Sequence, residues 1–114
     1  MKIEKQTPPR EFLVGKKNDI TIKDCGKLFL SSDEQITFIS KNNKEYDVVK
    51  KDWGYYATPS INGRLKKYGY KTALVKNNQG KYYIMLVELN KQELFKLYIK
   101  NENNFLVQWL DELD

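Results

Sequence analysis

The sequence predicts a mostly β, α+β fold: an antiparallel curled sheet or small barrel, with one short helix near residues 59–68 and one longer helix near 91–101. Three observations predict it. Short β-type runs follow one another at the spacing of an antiparallel fold. The segment Asn-Asn-Gln-Gly, residues 77–80, joins two of these runs with residues that tolerate the positive φ of a hairpin loop. A long apolar stripe at helical spacing occurs after residue 90.

The first half of the chain is predicted to form strands separated by polar turns. Residues 1–10 include two prolines and are expected to be a loose N-terminal arm that can become an edge strand. Apolar residues then recur in four runs, which cover residues 20–22, 28–30, 36–39 and 46–49. Between the runs, residues 24–26, 31–34 and 41–44 are expected to be turns, because Asp, Asn, Ser and Gly favour them.

The second half is predicted to begin with a β-hairpin of residues 71–76 and 81–88. Residues 82–87 are apolar without alternation, so we expect a central strand that is covered on both faces. The longer helix is the expected cover for one face. A last strand is predicted at residues 105–110.

The longer helix has both a start signal and an apolar face. Asn90 is its expected N-cap, and Glu93 three residues later completes a capping-box pattern. The expected core-facing stripe, widened by two neighbouring apolar residues, consists of Leu94, Leu97 and Tyr98 with Phe95 and Ile99.

Size and hydropathy limit the class of protein. A chain of 114 residues is expected to form a single domain, residues 1–114, with one core. Its longest apolar run has six residues, whereas a helix that crosses a bilayer needs ~20. The N-terminal segment has no apolar region that would mark it for export. We therefore expect no membrane association and a cytoplasmic location.

The content of cysteine and histidine excludes several kinds of site. The chain has one cysteine, Cys25, and no histidine. Structural zinc sites need about four ligands, mostly Cys and His, and no Gly-rich nucleotide loop occurs, so we expect neither a metal nor a cofactor. Without histidine, Ser-His-Asp and Cys-His catalysis is excluded, and a carboxylate, Lys or Tyr would have to act as the base. An enzyme is the least supported class, and no catalytic residue is assigned.

The positive charge of the chain is concentrated in residues 50–71, which hold six basic residues and one acidic residue. The rest of the chain holds equal numbers of both, so this segment carries the whole net charge of +5. Eighteen of the twenty basic residues are Lys, a bias that an AT-rich genome imposes on composition. The clustering of positive charge in one segment is therefore better evidence for an anion-binding surface than the total charge of the chain. The segment also holds five aromatic rings, and this combination predicts a surface that meets an anion.

The short helix is predicted from its two ends. Thr58 would cap it and Pro59 would take the first helical position, where a missing N–H costs nothing. Gly69 would end it in a left-handed conformation. Gly63 would lie on its outward face, where glycine is retained if another backbone or a ligand comes close. An irregular turn is the alternative.

The start of this helix is a candidate anion site. Helix N-termini offer unpaired N–H groups and a partial positive charge, which suit a phosphate. Thr58 and Ser60 would add hydroxyl donors, and Arg64 lies one turn further on. The residues expected to bind the ligand here are Thr58, Ser60, Asn62, Arg64 and Lys67. The alternative is that Thr58 only caps its helix and that Arg64 is a solvated charge.

Three rings, Trp53, Tyr55 and Tyr56, lie just before the helix. Aromatic faces stack on sugar rings and bases, and adjacent cations strengthen binding to phosphate. In a strand Trp53 and Tyr55 would share one face and Tyr56 would lie on the other, so at least one ring is expected to be buried. Trp53 and Tyr55 are the expected ligand platform, with core packing as the alternative.

The stretch YDVVKKDWGYYATPSINGRLKKYGYKTALVKN, followed by GKYYIMLVE, resembles short uncharacterised bacterial proteins that accompany surface-polysaccharide and sugar-biosynthesis genes. The resemblance covers residues 45–88. It implies a sugar or nucleotide-sugar context, and it implies no activity and no catalytic residues.

The expected function is that of a small non-catalytic binding or accessory protein that recognises an anionic ligand, such as a nucleotide-sugar or sugar phosphate. One alternative is a single-stranded nucleic-acid (RNA) binding module, since charge and rings suit bases on a phosphate chain. Another is a structural homo-oligomer, such as a homodimer, or a partner subunit. In that case the acidic residues 111–114 would meet the basic segment of a neighbour.

Overall fold

A computed structural model describes residues 1–113 of the chain. The strands are β1 (Lys2–Val14), β2 (Ile20–Phe29), β3 (Gln35–Ile39), β4 (Glu45–Lys51), β5 (Gly54–Ala57), β6 (Tyr70–Lys76), β7 (Tyr82–Glu88) and β8 (Phe105–Trp109). The helices are α1 (Arg64–Lys67) and α2 (Gln92–Asn101), with single 3₁₀ turns at Leu89–Lys91 and Leu110–Glu112. The longer helix is present near its predicted position, whereas the short helix predicted near residues 59–68 is confined to Arg64–Lys67, and residues 58–63 form an irregular turn.

The predicted mostly β, α+β class is confirmed. The strands form three sheets, with the orders β1-β2, β3-β4-β5 and β7-β6-β8. The pairs β1–β2, β4–β5, β6–β7 and β6–β8 are antiparallel. The sequence allowed either a curled sheet or a small barrel. The strands of the described residues do not close into a barrel.

The chain is a single small domain in which the backbone divides into two compact units. The first unit contains Met1–Thr37 and Asp47–Ala57, and the second contains Phe38–Tyr46 and Thr58–Asp114.

A long hairpin of β1 and β2 makes up most of the first unit. The expected loose arm is a strand, since Lys2 already pairs with Phe29. The predicted turn at residues 24–26 is wrong, because these residues lie inside β2 opposite a bulge between Lys5 and Arg10. Gly26 is required there: its φ is +137°, and an added Cβ would lie 2.1 Å from the backbone oxygen of Glu4.

The second unit is built around β6, which pairs with β7 on one side and β8 on the other. The hairpin over residues 77–80 forms as predicted, with Gly80 at a φ of +78°. The core consists of Ala73, Val75, Val87 and Ile99, with Met85, Phe95, Leu106 and Trp109 packed against it. The expectation that residues 82–87 form a central, doubly covered strand is wrong. β7 is an edge strand, and Tyr82 and Ile84 are exposed.

The apolar face of α2 is rotated from the predicted one. Phe95 and Ile99 contact the core, whereas Leu94, Leu97 and Tyr98 are exposed. The helix has apolar residues around most of its circumference, and the sheet covers only the sector that holds Phe95 and Ile99. The expected Asn90 cap is also wrong, because Asn90 lies in the 3₁₀ turn and the N-cap is residue 91, without a side-chain cap.

Candidate functional site

The first candidate surface is the tip of the β4–β5 pair, residues 50–57, which we call the aromatic hairpin. Lys50 pairs with Tyr55 and Lys51 pairs with Gly54, so Asp52 and Trp53 form the turn between them. Gly54 has a φ of +145°, and an added Cβ would meet no atom within 4 Å. Glycine is therefore needed here for the backbone conformation of the turn and not for space.

The aromatic hairpin exposes all three of its rings. The exposed fractions are 71% for Trp53, 61% for Tyr55 and 45% for Tyr56, so the expectation that one ring would be buried is wrong. Trp53 stacks on Tyr56, with ring centroids 6.1 Å apart and planes inclined by 22°. Because Tyr55 and Tyr56 are neighbours on a strand, their side chains lie on opposite faces. The Trp53–Tyr56 stack and Tyr55 are therefore two separate ring surfaces.

Each ring surface has a lysine beside it. The Lys50 ammonium lies 5.3 Å from the centroid of the Tyr55 ring and donates a hydrogen bond to the carbonyl of Lys51. The Lys51 ammonium forms an ion pair with Asp33, and this hydrogen bond raises the pKa of Lys51 above its ordinary value. Lys51 is therefore locally balanced by a carboxylate, whereas Lys50 places a positive charge over a ring.

The second candidate surface, residues 58–67, lies in the second unit and is called the basic turn. Its helix, α1, begins at Arg64 with Gly63 as N-cap, so the expected Thr58 cap is wrong. Ser60 takes that part instead. Its carbonyl accepts from the N–H groups of Gly63 and Leu65 at 3.2 and 3.1 Å, and its Oγ accepts from the N–H of Arg64 at 3.2 Å.

These bonds change what the basic turn can offer to an anion. At the observed start of α1, the N–H groups of Arg64 and Leu65 are already paired with Ser60, and α1 has only four residues. The close approach predicted at Gly63 is real but internal, because an added Cβ would lie 2.3 Å from the Ser60 Oγ. Side chains, and not a helix N-terminus, remain as anion contacts in this turn.

Arg64 joins the two ends of the basic turn. Its Nη2 donates to the Thr58 Oγ1 at 2.8 Å, and its guanidinium lies 5.8 Å from the centroid of the Tyr68 ring. Asn62 and Lys67 are exposed. Thr58, Ser60 and Arg64 are thus brought together by hydrogen bonds, whereas Asn62 and Lys67 share only the same short segment.

A buried ion pair in the second unit was not predicted from the sequence. The Lys71 ammonium lies 2.9 Å from Asp111 Oδ2 and 3.0 Å from Glu112 Oε1, and 4.8 Å from the Trp109 ring. The carboxylate of Asp111 is buried and also accepts from the N–H of Thr72 at 3.3 Å. The sequence held one signal that could have predicted this burial. Side chains alternate between the two faces of a strand, so Lys71 shares the core face of β6 with Ala73 and Val75.

The protonation of this pair follows from its contacts. Burial alone would lower the pKa of Lys71, but hydrogen bonds to Asp111 and Glu112 raise it above its ordinary value. Burial alone would raise the pKa of Asp111, but the bonds from Lys71 and Thr72 lower it. Both groups are charged at neutral pH, so Lys71 is not a general base there.

An apolar groove lies between α2 and β7 in the second unit. It has a volume of about 350 Å³, and its lining includes Leu86, Leu94, Phe95 and Tyr98. Polar residues are few in this lining, where Glu88 and Lys91 form an ion pair at 3.3 Å. The groove arises because α2 covers only part of the exposed surface of β7.

Several other features of the described residues bear on function. Cys25 is exposed, and its Sγ donates a hydrogen bond to the carbonyl of Lys23 at 3.5 Å. Within residues 1–113, no group of three or more Cys, Asp and Glu side chains is arranged to hold a metal ion. In the same residues, neither helix has the length and apolar character to cross a bilayer.

Comparison of the chain with protein-family models, with curated proteins and with solved structures finds no match.

Proposed function

We propose that this chain is a small non-catalytic binding protein that recognises an anionic ligand with a sugar ring or a base, such as a nucleotide-sugar or a sugar phosphate. The observation that carries this proposal is the exposed Trp53–Tyr56 stack at the tip of the aromatic hairpin. A cytoplasmic location agrees with the single cysteine and belongs to the same proposal.

The physical reason is the cost of leaving these rings in water. A buried Trp or Tyr removes 150–250 Å² of surface from water, and Trp53 leaves 71% of its surface exposed in the chain by itself. A flat ring laid on the stack would cover this surface, and base–aromatic stacking contributes about 1–3 kcal/mol per base. The stack is already formed without a ligand, so little rotamer entropy is lost on binding.

The charge of the chain supports an anionic ligand. Lys50 places its ammonium beside Tyr55, and Arg64 holds its guanidinium within the basic turn. The surrounding segment, residues 50–71, has a net charge of +5 in the sequence, and Lys51 and Lys71 of this segment are paired with carboxylates from other parts of the chain. A phosphate would be attracted over distances up to a Debye length, about 8 Å at physiological salt.

A thermal-shift experiment tests the stack directly. Wild-type chain is melted with UDP-glucose, with glucose 1-phosphate and with glucose, and the same series is run on Trp53→Ala. We expect the two phosphorylated ligands to raise the melting temperature of the wild type and to leave that of Trp53→Ala unchanged, with no rise for glucose alone.

The matched control is Tyr82→Ala. Tyr82 is also an exposed ring with a lysine over it, Lys76 at 5.6 Å, but it lies on β7 in the second unit. Its loss should leave the ligand-induced shift intact. If no phosphorylated ligand moves the melting temperature of the wild type, the proposal loses its support. It also fails if Tyr82→Ala acts like Trp53→Ala.

The basic turn is tested separately, through Arg64. The basic turn lies in the second unit and is proposed as an anion site by itself, with Thr58, Ser60, Asn62, Arg64 and Lys67 as its expected phosphate contacts. Arg64→Ala should reduce the ligand-induced shift, while Lys66→Ala, two residues away on the same short helix, should retain it. An unchanged shift in Arg64→Ala would remove the basic turn from the proposal and leave the aromatic hairpin.

Single-stranded nucleic acid is a second candidate, favoured by the exposure of the rings on two faces. Small ligands are usually bound in concave sites that bury 70–90% of their surface, whereas Trp53 and Tyr55 project into solvent on opposite sides of the aromatic hairpin. A flexible chain of bases can contact both surfaces. Fluorescence anisotropy with labelled oligo(U) should show an affinity that falls with salt, with a slope near −0.7 per phosphate contacted. A flat salt dependence would exclude this candidate.

A further inference from the structure

The long hairpin of β1 and β2 has one apolar face that is only partly covered. Its strands have 13 and 10 residues, and most of them are exposed. Cross-strand pairs share a face of the hairpin, so Phe12 lies beside Ile22 and Val14 lies beside Ile20 on the same side. Phe12 and Ile22 are 37% and 40% exposed.

The opposite face of this part of the hairpin is more polar, although it also holds Leu13, which is 59% exposed. There Glu11 pairs with Lys23 and Leu13 pairs with Thr21. The two strands therefore alternate in the way that is typical of a sheet with one buried and one solvated face. Beyond the bulge, Ile3 and Leu28 add a further apolar pair to the hairpin.

A hairpin of this kind needs something to pack against. An isolated two-stranded hairpin is marginally stable at best in water, and stability requires a third strand or a packed layer. Within the described residues the hairpin sheet has two strands, and neither strand contains a buried residue. The apolar pairs identify the face on which a second layer would lie.

The charges on this face indicate what the layer is. Arg10 and Asp24 follow Phe12 and Ile22 along the same face, with Arg10 Nη2 at 3.2 Å from Asp24 Oδ2. The Arg10 guanidinium also lies 4.8 Å from the centroid of the Phe12 ring. The face thus carries an apolar end and one balanced ion pair, with the positive member on β1 and the negative member on β2.

We propose that a second copy of this chain covers the face, with the two long hairpins packed face to face about a two-fold axis parallel to the strands. Such an axis lays β1 of one protomer over β2 of the other at the same level. Phe12 then lies over the partner's Ile22, and Arg10 lies over the partner's Asp24. Apolar residues meet apolar residues, and opposite charges meet, without any change in the hairpin.

The size of the contact sets its strength. Strands of ten residues are about 33 Å long, and two of them offer a footprint of a few hundred Å² per protomer, which is below the usual size of specific interfaces and typical of weak, transient contacts. The dimer is therefore expected to be reversible and to dissociate on dilution.

Sedimentation velocity over a range of concentrations tests the face. Wild type should pass from monomer to dimer between about 1 and 300 μM. Phe12→Glu should remain monomeric over the same range. Leu13→Glu is the matched control, because Leu13 is the next residue on β1 but lies on the opposite face, and this variant should dimerise like the wild type.

A charge-swap mixture tests the arrangement about the axis. Arg10→Asp puts two acidic residues on the face, and Asp24→Arg puts two basic ones there. Each variant alone should dimerise at least ten-fold more weakly than the wild type. An equimolar mixture should form heterodimers, because each basic pair then lies over an acidic pair. Loss of the ion pair within one hairpin cannot produce this rescue.

Three outcomes would overturn the proposal. The first is a wild type that stays monomeric to about 300 μM. The second is a Phe12→Glu variant that dimerises as well as Leu13→Glu, which would place the interface elsewhere. The third is a mixture of the two charge variants that forms no heterodimer, which would exclude the proposed axis.

Discussion

Lys71 and Asp111 show how a charge is accommodated in so small a core. Lys71 lies on the core-facing side of β6, and its ammonium is bound by two carboxylates while the Trp109 ring lies 4.8 Å away. Asp111 is buried and receives bonds from Lys71 and from the backbone of Thr72. A buried ion pair with its hydrogen bonds made is not strongly stabilising by itself, but removing one member leaves an uncompensated charge.

We therefore predict that Lys71→Met destabilises the fold by about 3 kcal/mol, because Asp111 would be left charged and buried. Lys66→Met, at an exposed lysine of α1, should change the free energy of unfolding by less than about 0.5 kcal/mol. Urea denaturation at pH 7 measures both. Equal stabilities of the two variants would contradict the assignment of Lys71 to the core.

The same pair predicts a pH dependence at the acidic side. The folded-state pKa of Asp111 is lowered from 3.8, so its contribution to stability is present above 3.8 and is lost as the pH falls through the folded pKa. In Lys71→Met, Asp111 would lack its partner and burial would raise its pKa, so the stability gap between wild type and Lys71→Met should begin to narrow above pH 3.8 and should continue to narrow below it. Urea denaturation across this range measures the gap, and a gap that persists at about pH 2 would argue against a charged Asp111.

On the scale of elements, the parts that could be predicted from the sequence are those with a local cause. The β6–β7 hairpin follows from the residues of its turn, where Gly80 has a φ of +78°. Gly69 likewise ends α1 with a φ of +91°, as expected. Such features depend on a few adjacent residues, whose preferred backbone angles are the same in any fold.

The predictions that the structure contradicts depend on contacts between residues distant in sequence. Whether residues 82–87 are central or at an edge is decided by where β8 pairs, and β8 pairs with β6. Residues 24–26 resemble a turn but continue β2, because the bulge in β1 accommodates them. In the candidate site, neither the exposure of the three rings nor the pairing of Ser60 with the N–H groups of α1 could be predicted from the sequence.

The start of α1 supplies a prediction at this scale. The Ser60 Oγ accepts from the Arg64 N–H and occupies the space that a Cβ on Gly63 would take. Ser60→Ala should cost about 1 kcal/mol through the lost hydrogen bond to the Arg64 N–H, and Gly63→Ala a similar amount because it displaces the same hydroxyl. The two effects should not add in the double variant, since each removes one interaction. Thermal denaturation of the four chains gives the coupling, and full additivity would show that the two residues act independently.

For the whole molecule, the positive charge is relevant to ligand binding, whereas the exposed apolar surface is relevant to self-association. The acidic C-terminal residues, which the sequence offered to the basic segment of a neighbour, bind Lys71 of the same chain through Asp111 and Glu112. The charge of Lys71 is therefore balanced within its own chain. The apolar face of the long hairpin is a separate surface, so ligand binding and self-association can be tested independently.

The central claim is that the Trp53–Tyr56 stack is the ligand platform. The chain has two tryptophans, and Trp109→Phe leaves Trp53 as the single reporter. Circular dichroism first establishes that this variant is folded, and its emission is then titrated with UDP-glucose and with oligo(U). We expect saturable quenching of Trp53 emission by at least one of them, weakened by added salt because phosphate is bound. Emission that does not change with either ligand up to about 1 mM would contradict it.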